Sequence, residues 1–326
     1  MVRYNILVKK RPTHGIPITE YANALRERVP DVDVVLAQTR EEELKHAPHA
    51  HVITGRYADD ELLERAENLK LFACYSSGYD HLPLKKLAEQ GIAVTNASGV
   101  HAPNMAEQIV GNLLVFSRRL HEGWNQQQRR EWRHYQAREL GGSVITVVGL
   151  GAVGRETVAR LQPFNVETIG VRYTPEKGSP TDEVEGFDTP GFQSAIARSD
   201  YLILCCPLTE TTRHLVDDET LTTLPTDAVL INVARGGVVD TEALLDSIQS
   251  NDIRGAYLDV TDPEPLPQDH ELWGFKNVLI TPHMAGYTSQ VYQRRADVLA
   301  RNLDKVDQTG TWSDLENQVG TPVHYE

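Results

Sequence analysis

Three polar residues each stand at or just beyond the end of a short apolar run: Arg235 after Val229–Val233, Glu264 after Gly255–Asp259, and His283 after Val278–Thr281. A guanidinium grips a carboxylate in a forked, two-bond geometry. A protonated imidazole can hand its proton to a developing oxyanion, and a neighbouring carboxylate favours that charged form. Glu264 lies in Asp262-Pro263-Glu264-Pro265-Leu266-Pro267, and Pro282 precedes His283. Proline fixes its own φ and restricts the residue before it, so both loops are stiff. Rigid placement suits a reacting group, since misplacement costs rate steeply. Taken singly, the three read equally as a surface cation, an exposed turn acid and a satisfied buried histidine, and spacing alone does not choose.

The element that would position a partner for such chemistry is Ser143–Leu161. Val144-Ile145-Thr146-Val147-Val148 reads as a fully buried strand. Gly149-Leu150-Gly151-Ala152-Val153-Gly154 follows at once, and then a helical face of Val153, Thr157 and Leu161. Strand, GxGxxG and helix together form a dinucleotide fingerprint. The first glycine makes the tight turn, the second admits a pyrophosphate, and the third lets helix and strand pack closely. The helix N-terminus offers free N–H groups and a positive dipole end to phosphate. The next strand, Val166–Val171, runs out into Arg172-Tyr173-Thr174, at about the spacing where a carboxylate would take the ribose hydroxyls of NAD. A guanidinium there binds a phosphate and Thr174 adds a donor, so the expected cofactor is NADP(H) in preference to NAD(H). The bland alternative is that Arg172 only forms a surface ion pair.

Around this unit the chain alternates strands and helices, which implies parallel sheets covered on both faces. Before the fingerprint, strands are expected at Tyr4–Val8, Asp33–Ala37, His51–Thr54, Leu69–Cys74 and Ile92–Thr95. Helices are expected near Thr19–Arg28, Arg40–His46, Asp59–Ala66 and Leu84–Gln90. The loop Tyr75-Ser76-Ser77-Gly78 follows one of these strands, where ligands bind in such sheets and where a turn can aim N–H groups at an anion; a plain connecting turn fits its spacing better. Asn104–Leu120 reads as a long helix whose stripe of Ile109, Leu113, Phe116 and Leu120 suggests burial between domains or subunits. Trp124–Leu140 reads as a connecting arm that packs somewhere. Tyr201–Cys205 is a further strand and Thr241–Gln249 a helix. Residues 286–305 form a closing helix, after which the tail packs back onto the first domain. The loose cluster His46, His49 and His51 straddles a proline and reads as a solvated loop, so no metal site is expected.

The chain has 326 residues, enough for two cores, and a formal net charge of −14 from 46 acidic and 32 basic residues. That charge argues against nucleic acid or an anionic membrane as partner. Of the basic residues 23 are Arg and 9 are Lys. Many acids with few lysines fit either a halophilic surface or a mildly acidic mesophilic enzyme. Three cysteines, Cys74, Cys205 and Cys206, do not make a disulfide framework. With no apolar leader in the first residues, a cytoplasmic location is expected.

GLGAVG, NVARGGVVD, DVTDPEPLP and TPHMAG, in this order and joined by SSGYDH, NASGVHAPNMAEQ and CCPLTETTRHL, resemble the D-isomer-specific 2-hydroxyacid dehydrogenase family over most of the chain. The resemblance implies an α/β fold with two doubly wound parallel-sheet domains. One is a flavodoxin-like substrate domain over residues 1–98 and 287–326; the other is a Rossmann dinucleotide-binding domain over 99–286. It implies an active cleft between them and a homodimer formed through the cofactor domain. It maps a catalytic Arg, Glu and His onto Arg235, Glu264 and His283. Arg235 would hold the carboxylate of a 2-oxoacid and polarise its carbonyl, helped by the N–H groups of the Ser76, Ser77, Gly78 turn. His283 would protonate the alkoxide as hydride arrives. Cofactor contacts would come from Gly149, Gly151, Ala152, Val153, Gly154, Arg172, Tyr173, Thr174, Cys206, Pro207, Thr212, Val233, Ala234, Asp259 and Gly286. Formate dehydrogenases of the same superfamily carry Gln where Glu264 stands. A glyoxylate or hydroxypyruvate reductase is the same chemistry on a smaller substrate. A dinucleotide-sensing, corepressor-like binding protein is the competing class, and the intact Arg, Glu and His set argues against it.

Overall fold

The computed structural model describes residues 4–187 and 190–319. The chain divides into two compact units: one runs up to His101 and resumes at Tyr287, and the other spans Ala102–Gly286. The first crossing lies slightly beyond residue 98 because the chain stays with unit 1 until a helix begins at Ala102.

In unit 1 the elements are β1 (Asn5–Val8), α1 (Ile18–Arg28), β2 (Asp33–Leu36), α2 (Arg40–His46), β3 (Val52–Gly55), α3 (Asp60–Arg65), β4 (Leu71–Cys74), α4 (Leu84–Glu89) and β5 (Ala93–Thr95). The strands are all parallel in the order β2-β1-β3-β4-β5, the flavodoxin-like winding. Successive residues point to opposite faces, so Ile6 joins one core with Tyr21 and Leu25 while Leu7 joins another with Ile53 and Phe72. Asp59 caps α3 by accepting the Leu62 N–H at 3.1 Å.

Unit 2 begins with α5 (Ala102–Ser117) and α6 (Leu120–Gln128). It continues through β6 (Val144–Val148), α7 (Ala152–Leu161), β7 (Glu167–Val171), β8 (Glu183–Glu185), α8 (Pro190–Ala197), β9 (Tyr201–Leu204) and α9 (Asp218–Thr223). It ends with β10 (Val229–Asn232), α10 (Thr241–Ser250), β11 (Gly255–Leu258) and β12 (Val278–Ile280). Its seven parallel strands run β12-β11-β10-β9-β6-β7-β8. The winding reverses between β6 and β9, the place where such sheets bind ligands beyond their strand ends. The chain then returns to unit 1 as α11 (Val291–Thr309), which packs on α1. Leu315 joins the same core, and the Val319 N–H donates to the Val94 carbonyl at 2.8 Å.

Several boundaries differ from the sequence reading. The closing helix starts at Val291, not 286, since residues 283–290 form turns. The helix read to Leu120 ends at Ser117, where Arg119 takes a left-handed φ of 51°. Ile109, Leu113 and Phe116 are buried within unit 2, while Leu120 is exposed. The segment read as a packed arm opens as helix α6 and carries Trp124 and Trp132 at 69% and 95% exposure. β8, α8 and α9 were not expected.

Candidate active site

The fingerprint turn has the geometry its glycines require. Gly149 has φ 96°, and a Cβ on it would lie 2.7 Å from the Cys206 nitrogen. A Cβ on Gly154 would lie 2.0 Å from the Gly149 carbonyl oxygen. Gly151 differs: a Cβ there meets open space. It is also the N-cap of α7 and offers no side-chain cap, so the amides of Ala152 and Val153 begin the helix unshielded on the surface. This is a cradle shaped for the backbone to meet a pyrophosphate, and it fits the dinucleotide that the motif implies.

The Gly149 N–H donates to the Val171 carbonyl at 2.8 Å, which sets Arg172 at the edge of the turn. The Arg172 N–H donates to the Glu185 carbonyl, and Nη1 donates to the Gly178 carbonyl at 2.6 Å, leaving its other guanidinium donors open. Tyr173 is exposed and Thr174 half-buried in the same loop. No carboxylate pairs with Arg172 among the described residues.

Across the switch point, the Cys205 N–H donates to the Val148 carbonyl, and Cys206 and Pro207 follow. Burial lifts the Cys206 thiol to about 11 and the Cys205 thiol higher still, so both stay protonated and inert at neutral pH. Thr212 is buried, and its hydroxyl donates to the Pro207 carbonyl at 2.6 Å. It therefore fixes the loop that carries Cys206 and Pro207. Val233 and Ala234 are buried, at the end of β10.

Asn232 was not singled out from the sequence. It is 1% exposed; its Oδ1 accepts the Ala234 N–H and its Nδ2 donates to the Arg235 carbonyl. This clamp presents Arg235 in extended backbone with its side chain exposed, Nη1 donating to the Ala234 carbonyl at 2.7 Å. A Cβ on the next residue, Gly236, would lie 2.0 Å from the Thr261 carbonyl oxygen. The Arg235 loop thus lies directly on the loop that leads to Glu264.

Glu264 and His283 meet: Nδ1 and Oε1 are 2.7 Å apart, with both side chains about half exposed. The Asp262–Pro263 and Glu264–Pro265 bonds are both cis. His283 holds a left-handed φ of 53°, uncommon for a residue with a Cβ. Asp259 explains how. It is 2% exposed; its carbonyl accepts the His283 N–H, Oδ1 accepts the Met284 N–H and the Thr281 hydroxyl, and Oδ2 accepts the Ala285 N–H. Behind it, the Gln108 amide donates to the Tyr257 hydroxyl, which bonds Thr281 at 2.6 Å. Burial lifts that phenol to about 12. The family resemblance suggests Asp259 as a cofactor contact; its carboxylate holds the His283 turn and keeps one acceptor position on Oδ2 to spare. Gly286, half-buried, follows the same turn, whose Ala285 carbonyl accepts from Asn104 at 2.6 Å.

Ser76, Ser77 and Gly78 belong to unit 1 and follow β4. The Ser77 hydroxyl donates to the Ala97 carbonyl, Asn96 Nδ2 donates to the Ser77 carbonyl at 2.6 Å, and the Ser76 hydroxyl donates to the Gly78 carbonyl. These bonds use side chains and carbonyls and leave the turn's Ser77 and Gly78 amides as donors.

A sequence model of "D-isomer specific 2-hydroxyacid dehydrogenase, NAD binding domain" matches residues 110–285. A glyoxylate reductase of Thermofilum pendens is 39% identical over 75% of this chain and 74% of its own length. A hydroxypyruvate reductase of Thermotoga maritima is 30% identical over 94% of this chain and 99% of its own. Among solved structures, a D-isomer specific 2-hydroxyacid dehydrogenase of Xanthobacter autotrophicus in complex with NADPH and MES is 26% identical, covers 98% of each chain and has a TM-score of 0.78.

Proposed function

The chain belongs to the D-isomer-specific 2-hydroxyacid dehydrogenase family, an oxidoreductase family acting on the CH–OH of 2-hydroxyacids, and on that premise we propose that it reduces small 2-oxoacids to D-2-hydroxyacids with NADPH. The 2.7 Å His283–Glu264 pair beside the Arg235 loop carries this reading. Relatives named glyoxylate reductase and hydroxypyruvate reductase support the smallest 2-oxoacids as substrates.

In this mechanism Gly149, Gly151, Ala152, Val153 and Gly154 would hold the pyrophosphate, and Arg172 with Thr174 would take the ribose phosphate. The backbone at Cys206, Pro207, Val233 and Ala234 borders the rest of the cofactor. A nicotinamide dinucleotide held by these residues would supply the hydride for the reduction. Arg235 forks onto the substrate carboxylate and draws electron density from the neighbouring carbonyl. His283, protonated and turned by Glu264 through Nδ1, gives its Nε2 proton to the alkoxide oxygen. Asp259 holds the histidine's backbone in place.

We further infer a homodimer through unit 2, supported by the two exposed tryptophans of the 120–139 segment; dilution should quench or shift their fluorescence as the dimer separates. Three free thiols fit a cytoplasmic location. Among the described residues no helix is long and apolar enough to cross a membrane. The direct test of the activity is a panel of glyoxylate, hydroxypyruvate, pyruvate and longer 2-oxoacids with NADPH and NADH. No turnover of any of them, with cofactor still bound, would favour a binding protein instead.

A further inference from the structure

Arg295 of α11 is 8% exposed, inside unit 1. Its guanidinium carbon lies 5.3 Å from the centre of the Tyr75 ring and 5.8 Å from that of Tyr292. Nη1 donates to the Thr13 hydroxyl at 3.1 Å, while the buried Nε has no partner among the described residues. Burial pushes the guanidinium below its ordinary value; the groups that bear most on its charge are Tyr21, Tyr75, Tyr292 and Cys74, none of them a carboxylate, and His14 also feels it. A cation withdrawn from water without a counter-charge is expensive, and the aromatic faces offset only part of that cost.

Beside it lies a cavity of about 20 Å³, lined by Arg295, Tyr21, Thr54, Cys74, Tyr75 and Asn96 among others. That is room for one guest slightly larger than the smallest water-holding void. The lining is rich in donors. Tyr21 and Thr54 share one hydrogen bond between two hydroxyls, and Tyr75 gives its own proton to the Lys9 carbonyl, so the second proton of the Tyr21–Thr54 pair can turn either to the Tyr75 oxygen or into the cavity. Asn96 gives one amide proton to the Ser77 carbonyl, and its oxygen takes the Ser98 N–H, so its second amide proton is left over. Together with the Arg295 Nε–H these favour a guest that only accepts.

We propose that this cavity is a binding site for a small monovalent anion, chloride, held by the Arg295 Nε–H and the spare hydroxyl and amide protons of Tyr21, Thr54 and Asn96. Since Asn96 also holds Ser77, the bound anion braces the base of the Ser76–Gly78 turn. The site lies wholly within unit 1 and stands apart from the reading of the reaction given above.

The test follows thermal unfolding of the whole protein at constant ionic strength as chloride replaces gluconate, together with diffraction from crystals grown in bromide. The expected result is a saturable rise in Tm with chloride, a loss of that rise in Arg295→Met, and an anomalous bromide peak in hydrogen-bond reach of Nε. Should Arg295→Met fail to fold, Thr54→Val removes one donor and should raise the chloride concentration at half-saturation severalfold. The bromide map on the unaltered protein is decisive: a cavity holding only water overturns the proposal.

Discussion

His283 occupies a backbone conformation that costs a residue with a Cβ about 1–3 kcal/mol unless its surroundings impose it. Here Asp259 imposes it, by accepting from three consecutive residues. Placement and protonation are thereby separated: Asp259 fixes where the ring starts, and Glu264 fixes which nitrogen points outward. His283→Ala should lower kcat by about 10²–10⁴-fold while NADPH still binds, as read by its fluorescence. Reduction takes up a proton and oxidation releases one, so in the unaltered protein the balance of the two reactions should move toward oxidation as pH rises, read by assaying both directions across a pH series. Arg172→Ala should raise KM for NADPH about tenfold, the equivalent of about 1.4 kcal/mol, and leave KM for NADH nearly unchanged. Equal loss with both cofactors would return Arg172 to the role of a surface cation. Arg235, Glu264 and His283 could be noticed by residue type at strand ends, the last two also by their neighbouring prolines, but only the family resemblance chose them over ordinary surface residues. Asn232 could not, because its clamp on Ala234 and Arg235 is a local geometry that no residue pattern announces, and the Gln108–Tyr257–Thr281 relay could not, because it joins a helix to strand ends far away in the chain.

At the scale of elements, strand β6, the glycine turn and helix α7 were legible as a unit, since apolar run, glycine spacing and helical periodicity all agree. β8 was missed because Glu-Val-Glu at the sheet edge lacks the apolar run of its neighbours, and α8 and α9 because they are too short to display a period. The glycines of the turn separate folding from binding. Gly149→Ala drives a Cβ into the Cys205–Cys206 backbone at a positive φ, and should cost about 3 kcal/mol in denaturant unfolding. Gly151→Ala meets open space, so unfolding should hardly change while cofactor affinity collapses. A well-folded Gly151→Ala variant that binds NADPH normally would show that the pyrophosphate lies elsewhere.

For the whole molecule, a net charge of −14 is a self-repulsion that salt relieves. If the acidic, lysine-poor surface is an adaptation to salt, activity should hold or rise from dilute buffer to molar KCl. A steady decline would leave it an ordinary acidic surface. The discontinuity of unit 1 has a consequence of another kind. Unit 2 is one unbroken stretch of chain, Ala102–Gly286, whereas the core of unit 1 joins Tyr21 and Leu25 to Tyr292 and Leu303. A growing polypeptide can therefore close unit 2 while the first hundred residues still lack α11. Unit 1 bears the larger loop-closure cost and should be the slower to acquire protection from hydrogen exchange. A fragment of residues 102–286 should fold alone and one of residues 1–101 should not, so the order of assembly, cofactor-binding sheet first, is written into where the chain crosses between its two sheets.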